Sequence, residues 1–115
     1  MVKNIENKMN NLGRVYIAGK ITGLSVEEFK ANFESGVRDL ETMGVIRDNI
    51  VNPARYTIDD GSWVEYMKLC LTKLIECDTI FMLDKYQTSK GARFELLTAR
   101  KLDMRVIFQN NKEEI

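Results

Sequence analysis

The sequence predicts an α/β fold, a single-domain doubly wound parallel sheet of the flavodoxin or Rossmann type with about four to five strands. Three observations predict it. Short runs rich in β-branched and aromatic residues, at 14–18, 48–52, 79–83 and 105–109, alternate with longer stretches whose apolar residues recur at helical spacing. Serines at 25, 62 and 89 stand where those helical stretches begin, each able to cap a first turn. Polar, glycine-containing loops follow the first and third runs, where parallel sheets place their ligands. A β-α-β-α-β-α-β order pairs its strands in parallel through right-handed crossovers.

Taken in order, residues 1–12 lack periodicity and are rich in Asn and Lys, and are expected to form a loose arm, with the folded domain running over 13–109 and a polar tail over 110–115. Val15-Tyr16-Ile17-Ala18 has the profile of a short central parallel strand and stops at Gly19-Lys20-Ile21-Thr22-Gly23. Ser25-Val26-Glu27-Glu28 is a capping box, after which Val26, Phe29, Phe33, Val37, Leu40 and Met43 form a helical stripe that Gly44 closes. The second strand is expected over Asp48–Asn52, ended by Pro53, which has no N–H for a ladder. Asp59-Asp60-Gly61 reads as a loop and Ser62-Trp63-Val64-Glu65 as a second capping box, followed by a core-facing stripe of Met67, Cys70, Leu71, Leu74 and Cys77. Asp78 is read as a turn residue that starts the third strand, Thr79–Leu83. A helix over Ser89–Leu102 and a strand over Arg105–Gln109 complete the domain.

Composition excludes several function classes. At 115 residues with 44% hydrophobic content, the chain can build one core. Lys plus Arg equals Asp plus Glu at 17 each, so no net field draws it to a nucleic acid polymer or an anionic membrane, and a bound phosphate is expected to be small. No apolar run approaches a membrane span of about 20 residues, and the polar start is unlike a signal sequence, so a cytoplasmic location is expected. Cys70 and Cys77 fall about 10 Å apart on one helix, beyond disulfide reach, and are expected reduced. The chain has no histidine, which removes Ser-His and Cys-His nucleophile pairs and the usual zinc sites; catalysis would run on carboxylates, Tyr, Lys or Cys, with no metal or cofactor expected.

The most informative stretch is Thr88-Ser89-Lys90-Gly91-Ala92-Arg93-Phe94-Glu95. Ser89 caps the helix, Gly91 allows close backbone approach, and the first-turn N–H groups carry about half a positive charge, which together suit an anion. Glu95 lies about one and a half turns further in, too deep to cap but able to reach a group beside the anion. The alternative is a flank ion pair with Arg93, Arg100 or Arg105. If the first and third strands are neighbours, the Gly19–Gly23 loop and the Ser89–Gly91 helix start converge, with Tyr16 and Glu95 behind them. By themselves, Gly19 and Gly23 also fit a purely structural loop, and Tyr16 a core aromatic.

These residues carry a resemblance. Val15 to Gly23, Asn52-Pro53, Tyr66-Met67, Leu74 to Ile80 and Ser89 to Glu95 together resemble the nucleoside 2-deoxyribosyltransferase superfamily, in particular its short bacterial and phage domains, over Arg14 to Phe108. The resemblance implies that Glu95 is the nucleophile toward C1′ of a deoxyriboside and that Tyr16 holds its carboxylate. Deoxynucleoside 5′-monophosphate N-glycosidases are similar further, with a serine matching Ser89 and a glycine-bounded loop contacting phosphate, which implies phosphate contacts from Gly19, Lys20, Thr22, Gly23, Ser89 and Gly91. One departure stands at Cys70, where relatives usually carry an Asp that assists at the leaving base; a thiol in an apolar stripe is a poor proton donor. Asp84-Lys85-Tyr86-Gln87 also replaces the aromatic-rich segment usual there. The implied activity is cleavage or transfer at the N-glycosidic bond of a 2′-deoxynucleoside or its 5′-monophosphate in a homo-oligomer. The alternatives are a non-catalytic nucleotide-binding or sequestering module and a structural partner protein with a vestigial site.

Overall fold

A computed structural model describes residues 11–56 and 61–110. The expected arm up to residue 10, Asp59 and Asp60 of the expected loop, and the tail from residue 111 lie outside the described residues. The elements are β1 (Val15–Ala18), α1 (Val26–Thr42), β2 (Ile50–Val51), α2 (Trp63–Leu74), β3 (Thr79–Met82), α3 (Lys90–Lys101) and β4 (Arg105–Phe108). The sheet is parallel throughout with strand order β2-β1-β3-β4. The predicted doubly wound α/β class is therefore the observed one, with four strands.

Strand alternation divides the core in two. Val15 and Ile17 of β1 and Phe81 of β3 point to the face covered by α1, where they meet Phe33, Val37 and Leu40. Tyr16 and Ala18, with Ile80 and Met82, point the other way, under α2 and α3, where they meet Cys70, Leu74, Ala92, Leu96 and Ala99. Every residue of β1 and β3 is buried, because a central parallel strand is covered on both sides.

β1, β3, α3 and β4 begin and end within one residue of the expected ranges, and the second strand departs most. The second strand is Ile50–Val51, not Asp48–Asn52. Arg47–Asn49 forms a 3-10 turn instead, with Arg47 held by Glu34 at 2.8 Å and Glu41 at 3.2 Å. At the other end, Asn52 leaves the ladder to cap a second turn, its Oδ1 accepting from Ala54 N, with Pro53 at the first turn position. Leu12 is buried, and its carbonyl accepts from Thr79 Oγ1 at 2.7 Å.

All three serines cap their helices; of the two expected capping boxes the first is reciprocal, and the second shows its Ser62 half. Ser25 and Glu28 make the reciprocal capping box, while Ser62 Oγ accepts from Glu65 N and Ser89 Oγ from Ala92 N. Asp78 is a strand-starting residue: its Oδ2 accepts from Arg14 N at 2.9 Å and ties the entries of β1 and β3 together. Both cysteines are free thiols. Among the described residues, no helix is long and apolar enough to cross a membrane.

Candidate functional site

The order of the sheet decides where a ligand can bind. The chain leaves β1 towards β2 on one side and enters β3 on the other, so the carboxyl ends of β1 and β3 frame the switch point, where the loops diverge and leave a crevice. A cleft of about 810 Å³ opens there. It is walled by the loop after β1, the segment after β2, the N-terminal half of α2 and the first turns of α3.

At its floor, Tyr16 and Glu95 meet. Tyr16 Oη donates to Glu95 Oε2 at 2.5 Å across 79 residues of sequence. The contact follows from β1 and β3 being neighbours: α3 returns over the face of the sheet to which Tyr16 points, and carries Glu95 down onto it. Glu95 is 5% exposed, and that remaining surface faces the cleft. The flank ion pair with an arginine is not formed.

Burial sets the electrostatics. Loss of solvent pushes the Glu95 carboxyl up to about 8, against the hydrogen bond from Tyr16, which favours the charged form. Burial, followed by the nearness of Glu95 and Cys70, holds the Tyr16 phenol well above its ordinary value, so Tyr16 remains a donor. Cys70 is 1% exposed, lies beside Tyr16 and Tyr66, and is raised to about 11 by burial. It is a protonated, inert thiol at neutral pH.

The mouth has the opposite character. Lys20 and Lys90 are the cationic side chains among the described lining residues, and Lys90 opens α3, whose N-terminal dipole adds to them. Ser89 caps α3 and lines the cleft, and Thr22 stands on the facing loop. Among the described residues the site is therefore polarised, with positive charge at the rim and a single buried carboxyl at the floor. Among the described residues, no group of three or more Cys, Asp or Glu side chains is placed to hold a metal ion.

A family model described as a domain of unknown function, DUF4406, matches residues 13–108. The chain belongs to that family. No curated protein and no solved structure matches it.

Of the residues singled out from sequence in this DUF4406 chain, Tyr16, Gly19, Lys20, Thr22, Cys70, Ser89, Gly91 and Glu95 all line the cleft. Gly23 does not: it is exposed, at φ +89°, and shapes the turn in which Leu24 N bonds Ile21 O. Two glycines also have a packing reason that their motif did not disclose. A Cβ on Gly19 would sit 2.6 Å from Leu83 Cδ1, and one on Gly91 would sit 3.1 Å from Met67 Sδ. Gly91 thus lets α3 lie against α2.

Sequence reasoning missed the aromatic wall. Tyr56, Trp63 and Tyr66 line the cleft opposite the β1 loop. Trp63, Tyr66, Met67 and Cys70 follow one another at i, i+3, i+4 and i+7, so the cleft-facing side of α2 was readable as a continuation of its core stripe toward the N-terminus. Tyr66 is fixed by donating to Pro53 O at 2.6 Å. Tyr86, by contrast, packs on Phe108 with ring centroids 5.6 Å apart and is outside the wall.

Proposed function

We propose that this protein cleaves or transfers at the N-glycosidic bond of a 2′-deoxynucleoside 5′-monophosphate, with Glu95 as nucleophile. The observation that carries the proposal is the buried Tyr16–Glu95 pair at the floor of a cleft whose rim is cationic. Such a site suits a ligand with an anion at one end, a reacting carbon in the middle and an aromatic group at the other. A phosphate at Ser89, Lys20, Thr22 and the first turn of α3 lies about 9 Å along the helix axis from Glu95, a gap that a pentose and its 5′-methylene bridge. The aromatic wall takes the base.

In the reaction, a Glu95 oxygen bonds to C1′ as the C1′–N bond breaks, and the electron pair leaves with the base, which takes a proton. Water attacks C1′ of the resulting glycosyl ester to complete hydrolysis, or a second base does so to complete transfer. Tyr16 holds the carboxyl in line. An ionised Glu95 is unfavourable in its dry pocket and is stabilised most when positive charge develops on the sugar, so the interaction strengthens in the transition state. Deoxynucleosides and their 5′-monophosphates, incubated with the protein and assayed for free base, test this. Release from the monophosphates that disappears in Glu95→Gln supports it, and no release from any of them overturns it.

A second reading has its own observation. Cys70, beside the pair and raised to about 11, is no proton donor for a leaving base. Tight binding of monophosphates without release identifies a nucleotide-sequestering module instead. Exposed Phe94 and Leu97, a turn apart on α3, support the expected homo-oligomer, which light scattering checks.

A further inference from the structure

At the rim of the cleft, Lys90 Nζ lies 4.7 Å from the ring centroid of Trp63. The two side chains come from the first positions of α3 and α2, and both line the cleft. Among the described residues Lys90 forms no ion pair, and its ammonium rests over the ring of Trp63. Neither group is buried: Trp63 is 37% exposed, and a cation on an exposed ring is held only weakly.

We propose that Lys90 and Trp63 form an exchangeable clasp that makes the cleft selective for phosphorylated ligands. An anionic group entering between Lys20 and the start of α3 draws the Lys90 ammonium away from Trp63, because a charge-assisted contact is stronger than an exposed cation–π contact. The uncovered ring of Trp63 then accepts the ligand's base. A ligand without phosphate must displace Lys90 with nothing to receive its charge, and so binds against the clasp. Lys90 is thereby a specificity-determining residue that acts twice, for the anion and against its absence. This inference rests on the nucleotide reading of the cleft and adds to it the device that separates nucleotide from nucleoside.

Trp63 is the only tryptophan in the chain, so its fluorescence reports the clasp directly. Calorimetry and fluorescence titrations with a deoxynucleoside 5′-monophosphate, the matching deoxynucleoside and deoxyribose 5-phosphate, in the wild type, Lys90→Ala and Lys90→Arg, test the proposal. The expected result has opposite signs: Lys90→Ala weakens monophosphate binding about tenfold and tightens nucleoside binding about threefold, and Lys90→Arg restores the wild-type preference. Deoxyribose 5-phosphate should move the Trp63 emission towards that of unliganded Lys90→Ala. Equal weakening of monophosphate and nucleoside in Lys90→Ala overturns the clasp while leaving the nucleotide reading standing. So does calorimetric binding of the monophosphate with unchanged Trp63 emission. Absence of binding by all three ligands overturns both.

Discussion

The two faces of the sheet are built from the same strands and differ in kind. Beneath α1, Val15, Ile17 and Phe81 pack against Phe33, Val37 and Leu40 in an apolar layer, with Gly36 admitting Leu83, whose Cδ2 would lie 2.7 Å from a Cβ there. On the opposite face, under α2 and α3, the strand residue next to Ile17 is Tyr16, bonded to a buried carboxyl and flanked by a thiol. One face stabilises; the other retains polar groups that cost stability. A buried Glu and its phenol are kept where apolar residues of like size would be cheaper, which is the usual mark of a site rather than a core.

The largest effect expected from breaking this contrast is at Glu95. Glu95→Gln keeps the shape and an acceptor for Tyr16 but removes the proposed nucleophile, so base release should fall by on the order of a thousandfold or more. Stability should move the other way. Glu95 keeps its proton in the fold to about pH 8 and loses it near 4.5 when exposed, so between those values the native state holds the extra proton. Wild-type stability therefore falls as pH rises through that window, and Glu95→Gln does not share the loss. Its advantage in chemical denaturation should grow by on the order of 3 kcal/mol from pH 5 to pH 8. A variant that is less stable at both pH values would refute the view of Glu95 as a costly buried acid.

The apolar face supplies the next effect, with the opposite profile. Ile17→Ala leaves a cavity beneath α1, on the far side of the sheet from Glu95, and should cost about 3 kcal/mol and lower Tm by roughly 10 °C. Activity per folded molecule should be unchanged at a temperature where the variant remains folded. A fall in kcat comparable to the loss at Glu95 would mean that the two faces are not independent.

The extent to which this division could be read from sequence follows from particular residues. Topology alone places Tyr16 and Glu95 at one sheet edge only if β1 and β3 are neighbours; their pairing is implied by the family resemblance, and the strand order supplies the condition. The ends of β2 could not be read, because Arg47–Asn49 forms a 3-10 turn before Ile50 whose Arg47 reaches Glu34 and Glu41 on α1, a tertiary contact with no local signature. Trp63 and Tyr66 were hidden for a different reason: they extend the core stripe of α2, and only the position of the loop after β1 makes that end of the stripe face a cleft. Gly19 and Gly91 were read as approach points for a ligand, whereas the atoms nearest a Cβ there are Leu83 and Met67.

A smaller effect sharpens the contrast from within the polar face. Tyr16→Phe removes the donor that favours the charged form of Glu95, so the Glu95 carboxyl should titrate still higher. In the wild type, kcat/KM for base release should rise with pH to a plateau above about pH 8, since the proposed nucleophile is the ionised Glu95 carboxylate. In Tyr16→Phe the rise should shift to higher pH, with a stability cost of about 1 kcal/mol and partial activity recovered in alkaline buffer. An unshifted profile would remove Tyr16 from the chemistry and return it to the core.

The smallest effect is expected at Cys70, which sits among the polar groups but belongs physically with the apolar ones. It is 1% exposed and its thiol is raised to about 11 by burial, so at neutral pH roughly one molecule in ten thousand carries a thiolate. Cys70→Ala removes one sulfur atom and should cost about 1 kcal/mol while leaving base release within about twofold. Cys70→Asp is the more discriminating change. An acid there lies near Glu95, and two carboxyls in a dry pocket do not both ionise, so one remains a proton donor beside the nucleophile. If the cleft handles the leaving base at this position, turnover should rise in Cys70→Asp with no gain in affinity for the monophosphate, because the proposed reading gives phosphate and leaving base to different groups. If Cys70→Asp unfolds the protein while Cys70→Ala is benign, the α2 stripe is sealed core at this point, and the nucleotide-sequestering reading gains over the enzymatic one.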